Sequence, residues 1–283
     1  MNPLISRGLG KRTLIMGVLN VTPDSFSDGG LYATEEAALA RAREMIAEGA
    51  DIIDIGGEST RPATFGDQSL LEAREEIERI LPVIRRIAAE HPAIPVSVDT
   101  YKAEVAEAAL HAGAKIINDI SGLTHDPQMA PLAAKTGAPL ILMHLLGAPH
   151  DIPLAPVYDD VVGEIGAFFE KQILYAEGLE VRREQIIVDP GIGFGKTTEH
   201  NLEILRRLAE FKRFGRPILI GPSRKRFLGK LLHDAPPGDR LEGTEAAVAI
   251  GIANGADIVR VHDVRQIARV ATVADAIVRT APA

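Results

Sequence analysis

Apolar residues along the chain gather into eight short continuous runs, at 14–19, 52–55, 96–98, 116–117, 140–143, 186–188, 218–220 and 258–261. They do not alternate with polar residues, which is the pattern of parallel strands buried on both faces. Longer segments of helical spacing lie between them. Ser69-Leu70-Leu71-Glu72 reads as a capping box ahead of Ile77, Ile80, Leu81, Ile84 and Ile87. Thr244 is placed to cap an Ala-rich helix that stops at Asn254-Gly255, another helix starts near Thr198, and a last one spans about 264–280. Four Gly-Ala pairs, Gly49-Ala50, Gly113-Ala114, Gly137-Ala138 and Gly255-Ala256, precede runs at irregular spacing. In each, glycine supplies a left-handed helix stop and alanine permits a tight turn into the sheet. Eight strands alternating with helices predict an α/β fold, a (β/α)8 TIM barrel, with a doubly wound open sheet as runner-up. Nothing rich in Pro, Gly or Ser divides the chain, so residues 1–283 read as one domain with long loops at 62–68, 148–156 and 236–240.

Size agrees with this, since 283 residues suit one barrel of roughly 250 residues plus insertions. Hydrophobic residues make up 46% of the chain while aromatics are 4% and Trp is absent, so the core must be aliphatic. The lack of cysteine excludes disulfides, thiolate metal sites and Cys nucleophiles together. A formal net charge of −8 argues against nucleic-acid binding, which needs a basic face. No apolar run is long enough to span a membrane, and residues 1–11 lack the apolar segment of a signal peptide. The expectation is a cytoplasmic protein.

Chemistry collects at the ends of the runs. The ends of the predicted strands carry Asn20, Glu58 and Thr60, Asp99, Asn118 and Asp119, His144, Asp189, Lys225, and Arg260 with His262. In a barrel those ends form the active-site face. Any one polar residue there could serve a turn; a complete ring of them points to a site. Asp-Pro-Gly-Ile-Gly-Phe-Gly-Lys-Thr from Asp189 ends like a phosphate-binding loop, but Pro190 stands where that motif needs its first glycine. The dinucleotide fingerprint fails at Lys196. The glycines can instead let backbone approach a planar ligand, with Phe194 as an apolar wall, or form a flexible turn. The eight histidines lack His-Glu-x-x-His spacing. Lys225 could form a Schiff base, although Gly221-Pro-Ser-Arg-Lys-Arg226 suits anion contacts better.

Five blocks, in order, resemble dihydropteroate synthase over nearly the whole chain. They are residues 16–30, with Asn20-Val-Thr-Pro-Asp-Ser-Phe-Ser-Asp-Gly-Gly30; 54–62, ending Ser59-Thr-Arg-Pro62; 97–100 with 117–120; 189–196 followed by 221–225; and 258–263, Ile-Val-Arg-Val-His-Asp. The resemblance implies condensation of 6-hydroxymethyl-7,8-dihydropterin diphosphate with p-aminobenzoate in a barrel mouth. It implies that Asp99, Asn118 and Asp189 read the pterin's amino edge, that Lys225 donates to its carbonyl and ring nitrogen, and that Met143 packs on its face. Asn20, Arg260 and His262 match the pyrophosphate pocket, with Asn20 also a ligand of Mg²⁺. Thr60, Arg61, Pro62, Phe194 and Ser223 match the p-aminobenzoate region, Ser223 being placed at a helix start. Among these, Lys225, Arg260 and His262 carry the catalytic expectation. A homodimer through the late helices is implied as well. Two positions depart from the family pattern, Ala63 where glycine is frequent and Pro222.

Three rivals share parts of this pattern: a non-catalytic pterin-binding paralogue, a barrel methyltransferase acting on a methylated folate, and a barrel aldolase. A paralogue would lose the loop motifs, and a methyltransferase has no use for Arg260-x-His262.

Overall fold

A computed structural model describes residues 3–22, 30–58, 71–149, 151–153 and 155–279. Its strands are β1 (Leu14–Asn20), β2 (Ile52–Gly56), β3 (Val96–Asp99), β4 (Ile116–Asp119), β5 (Leu140–Met143), β6 (Ile186–Asp189), β7 (Leu219–Ile220) and β8 (Ile258–Val261). Each coincides with a predicted run, and several run one residue further to include the polar residue at the end. All pairings are parallel, in the order β6-β5-β4-β3-β2-β1-β8-β7. A bridge between Val188 and Ile218, with the Val188 N–H donating to the Pro217 carbonyl at 3.0 Å, joins the outer strands. The sheet is therefore a closed barrel, which rules out the open sheet. Pro217 and Pro222 bracket β7, and two missing N–H donors explain why it is only two residues long.

Ten helices lie among the described residues: α1 (Pro3–Ser6), α2 (Gly30–Glu48), α3 (Ala73–Glu90), α4 (Ala103–Ala112), α5 (Met129–Thr136), α6 (Val161–Gly178), α7 (Thr198–Arg206), α8 (Arg226–Leu231), α9 (Leu241–Ala253) and α10 (Val264–Val278). Buried Ile, Val, Leu and Ala fill the layer between strands and helices. Gly49, Gly113, Gly137 and Gly255 all have positive φ and the alanines after them are buried, as the Gly-Ala pairs predict. Inside the barrel, Leu14, Met16, Ile52, Ile116, Ile141, Ile187, Leu219 and Ile258 form a separate, wholly buried plug with Leu4 of α1. That plug closes the N-terminal end of the barrel.

Two helix starts differ from the sequence reading. Helix α3 begins at Ala73 behind Glu72, which makes no side-chain cap, and Ser69 lies outside the described residues. Thr244 is inside α9, not at its start; its Oγ1 donates to the Arg240 carbonyl and accepts from the Arg224 N–H. Thr198 follows its cap, Thr197, whose side chain accepts from the His200 N–H. Among the described residues no helix is long and apolar enough to cross a membrane.

Candidate active site

Side chains on a strand alternate between faces, so the residue two beyond each plug residue also points into the barrel. Two beyond Ile52, Ile116, Ile141, Ile187 and Ile258 stand Asp54, Asn118, Met143, Asp189 and Arg260. The β3 partner at the same height is Asp99, in register with Gly56 and Asn118. One layer of the barrel is thus an apolar plug, and the next layer up is a ring of amide, carboxylate and guanidinium groups. This is how an aliphatic barrel presents a polar floor at its C-terminal mouth.

The ring is tightly bonded. Arg260 donates from Nε to Asp54 Oδ2 at 2.6 Å and from Nη2 to Asp99 Oδ2 at 2.5 Å. Asn118 Nδ2 donates to the same Asp54 oxygen at 3.1 Å. Asp54 Oδ1 and Asp99 Oδ1 are buried without a donor among the described residues. Burial pushes the Asp99 carboxyl up; Arg260 opposes this and the Asp54 charge adds to it. Burial likewise lifts Asp189 to about 6, although its Oδ1 accepts the Gly191 N–H at 2.7 Å. Lys225 Nζ lies 3.7 Å from the centre of the Phe194 ring, and burial followed by the Arg260 charge lowers it to about 7. The space between Asp99, Asn118, Met143, Asp189, Phe194 and Lys225 is about 20 Å³. That admits one water, so side chains around it must move before a planar bicyclic ring can enter.

Two turns hold the rim. Ser223, Arg224 and Lys225 follow β7, and Arg224 has φ 58°, an uncommon conformation for a residue with a side chain. It is held by ion-paired Asp263, by Thr244 Oγ1 on its N–H, and by Arg240 on its carbonyl at 2.8 Å. Ser223 stands three residues before α8 and not at its first turn. Its Oγ lies 3.0 Å from His262 Nδ1 and accepts the His262 N–H at 3.2 Å. Burial, with Arg260 next, lowers His262 to about 3, so the ring is neutral. The second turn is the glycine loop after β6. Lys196 Nζ donates to the Phe194 carbonyl at 2.9 Å and lies 3.0 Å from His144 Nδ1, while Tyr158 donates to the Gly195 carbonyl. Burial lowers both Lys196, to about 7, and His144, so a neutral imidazole can accept from the lysine.

Residues 16–262 match the model of the family described as pterin binding enzyme. The dihydropteroate synthase of Synechocystis sp. is 50% identical over 95% of this chain and 92% of its own length. The chain belongs to the dihydropteroate synthase family. A crystal structure of the Clostridium difficile dihydropteroate synthase in the presence of pteroic acid superposes with a TM-score of 0.89 at 47% identity, covering 96% of this chain and 99% of that one. The Xanthomonas albilineans enzyme in complex with 7,8-dihydropteroate gives 0.85 at 40% identity, covering 96% and 95%.

Of the residues singled out as dihydropteroate synthase positions, the structure brings Asp99, Asn118, Met143, Asp189, Phe194, Lys225 and Arg260 around one space. Ser223 and His262 meet at its edge, and Asn20 stands half-buried at the end of β1. Thr60, Arg61 and Pro62 lie outside the described residues. Sequence reasoning missed Asp54 as a site residue, although a lone charge inside the apolar run 52–55 was a visible signal. Lys196 was read only as the end of a failed motif. Glu58, already noted at a strand end, is gripped by Tyr101 at 2.9 Å and by Lys102 at 2.6 Å, and Lys102 also reaches the buried Glu76 of α3 at 2.6 Å. No spacing rule links those positions.

Proposed function

We propose that this chain condenses 6-hydroxymethyl-7,8-dihydropterin diphosphate with p-aminobenzoate, giving 7,8-dihydropteroate and pyrophosphate, with one barrel carrying the whole reaction. The observation that carries this is the floor of acceptors at the mouth, where Asp54 and Asp99 each keep a buried oxygen without a donor among the described residues. The pterin's amino and ring N–H edge supplies such donors, and ionised carboxylates are strong acceptors for them. Asp99, Asn118 and Asp189 read that edge, Lys225 donates to the carbonyl side, and Met143 packs against the ring. Arg260 now occupies Asp54 and Asp99. A pterin arriving with its own donors replaces it there and releases the guanidinium toward the diphosphate. Substrate recognition and anion binding are then one exchange of partners.

The diphosphate falls to Arg260 and His262 beside Asn20. Mg²⁺ fits this donor set in one way only. Among the described residues no group of three or more His, Cys, Asp or Glu could hold a metal, while Asn20 offers a single hard oxygen. An ion that keeps waters and phosphate oxygens as its other ligands suits that. When bound it neutralises diphosphate charge. The C–O bond to the diphosphate breaks with its electron pair leaving on pyrophosphate. The methylene cation is stabilised by the ring, and the aromatic amine attacks it with its lone pair, then loses a proton. No strong base is required, so the side chains act by holding pyrophosphate, excluding water and orienting the amine. Phe194 and Ser223, with Thr60, Arg61 and Pro62, receive p-aminobenzoate.

A homodimer is part of the reading. Helices α9 and α10 pack side by side and expose Ile250, Val273 and Ile277, which a second copy would cover. A cytoplasmic setting, compatible with the absence of cysteine, completes it. The test is dihydropteroate formation from the two substrates with Mg²⁺. Tight pterin binding without turnover would identify a non-catalytic paralogue instead. Calorimetry adds a check on mechanism: p-aminobenzoate should bind weakly to the free protein and much more tightly once pterin, pyrophosphate and Mg²⁺ are present.

A further inference from the structure

Past the ends of β7 and β8, two consecutive residues of one turn are paired with two consecutive residues of the other. Ser223 Oγ lies 3.0 Å from His262 Nδ1, and Arg224 donates from Nε to Asp263 Oδ2 at 2.9 Å. The His262 backbone is held on both sides. Its N–H donates to Ser223 Oγ at 3.2 Å, and its carbonyl accepts from Arg41 Nη2 of α2 at 2.8 Å. The imidazole is thereby kept against the serine.

Counting hydrogens in this cluster fixes where the ring proton sits. A serine hydroxyl has one hydrogen and two lone pairs. One lone pair of Ser223 Oγ takes the His262 N–H. Ser223 is buried, and among the described residues its hydroxyl hydrogen has a single acceptor, His262 Nδ1. A protonated Nδ1 would donate to Oγ and leave that buried hydrogen without a partner, an arrangement that protein interiors avoid. Nδ1 is then the bare nitrogen and the proton sits on Nε2. Nε2 has no hydrogen-bond partner among the described residues and keeps surface open to solvent, so its hydrogen is available.

We propose that Ser223 is a positioning residue for His262: by donating to Nδ1 it holds the imidazole as the Nε2–H tautomer, and Nε2–H is the donor offered to the diphosphate. This rests on the placement of the diphosphate against Arg260 and His262. The two side chains then differ in kind, Arg260 bringing charge and His262 an uncharged, directional N–H. The part of Ser223 in p-aminobenzoate binding is narrowed as well. With its one hydrogen given to Nδ1, the hydroxyl lines that region without donating to the carboxylate.

The proton can be located directly by long-range nitrogen–proton correlation NMR of the labelled whole protein, with His262→Gln identifying the resonances. At neutral pH wild type should show Nδ1 bare and Nε2 protonated, and sodium pyrophosphate should shift Nε2 while Nδ1 stays bare. Ser223→Ala should give a mixture of tautomers and weaken pyrophosphate binding roughly tenfold in calorimetry, about the effect of one well-directed hydrogen bond. Binding of an unphosphorylated pterin should be unchanged, and Ser223→Thr, which keeps the hydroxyl, should restore both properties. A proton on Nδ1 in wild type would overturn the assignment whether or not Ser223→Ala folds. So would unchanged pyrophosphate affinity in a folded Ser223→Ala. A raised KM for p-aminobenzoate with pyrophosphate binding intact would give the hydroxyl to the carboxylate instead. The spectra and the calorimetry need no turnover, so their outcome is separate from that of the dihydropteroate assay.

Discussion

Asp189 shows what burial does to a side chain proposed to accept from the pterin. Its carboxyl is lifted to about 6 and Lys225 is lowered to about 7, burial being the main cause for both. Asp189 accepts from a pterin fully only when ionised, so affinity falls as pH drops through 6. Lys225 donates as a cation only when protonated, so affinity also falls as pH rises through 7. Pterin binding should therefore peak between about pH 6 and 7, as calorimetry with an unphosphorylated pterin across pH 5–9 would show. Asp189→Asn should flatten the acid limb and cost about 1.5–3 kcal/mol of binding, one to two decades. It should not lower the melting temperature. A carboxyl held above its ordinary pKa makes ionisation oppose folding, so its contribution to stability declines as pH rises from about 4 to 6, and asparagine removes that decline. Asp99, Asn118, Asp189 and Arg260 were legible because each ends an apolar run or stands within a recognisable block. The Arg260 pair with Asp54 and Asp99 was not, because residues 54, 99 and 260 meet only when the barrel closes.

Among the elements, the turn from β7 to α8 relies on distant parts of the chain. Arg224 sits in left-handed backbone, and Thr244, Arg240 and Asp263 hold it there. Thr244→Val removes the acceptor of a backbone N–H and should destabilise the protein by about 1–3 kcal/mol, read by denaturant unfolding. Since Ser223 and Lys225 flank Arg224, turnover should fall as well. The sequence suggested a cap at Thr244 because a threonine before an apolar helical run has that local signature whatever tertiary use it finds. The glycine loop after β6 makes a similar point. Lys196→Met should free the Phe194 carbonyl and raise KM for p-aminobenzoate roughly tenfold, an estimate based on about one lost charge-assisted hydrogen bond. The KM for the pterin substrate should change little, and Lys196→Arg should recover part of the loss.

For the molecule as a whole, the barrel was readable because continuous apolar runs have few other uses in a chain of this length. What the chain does with its outer surface was less readable, since α9 mixes core and exposed apolar residues all round: Val248 is buried while Ile250 is half exposed. Ile277, 73% exposed on α10, is the most direct probe. If the proposed dimer forms through this face, Ile277→Glu should convert it to a monomer in sedimentation experiments and leave the monomer folded, since the side chain lies outside the core.

The two-residue strand β7 makes the barrel mechanically uneven. From β6 through β5 and round to β8 the strands are joined by registers of three to five residue pairs, apart from the two-pair β7–β8 ladder. Between β6 and β7 there is one bridge. Asp189 ends one side of that seam and Lys225 follows the other. Small breathing at the seam therefore changes the span between an acceptor and a donor proposed to grip opposite edges of one flat ring. The protein can adjust its grip there without disturbing the rest of the sheet. Native-state deuterium uptake should be fastest, among the barrel strands, at Val188 and Leu219, and a bound pterin should slow it by clamping the seam from above.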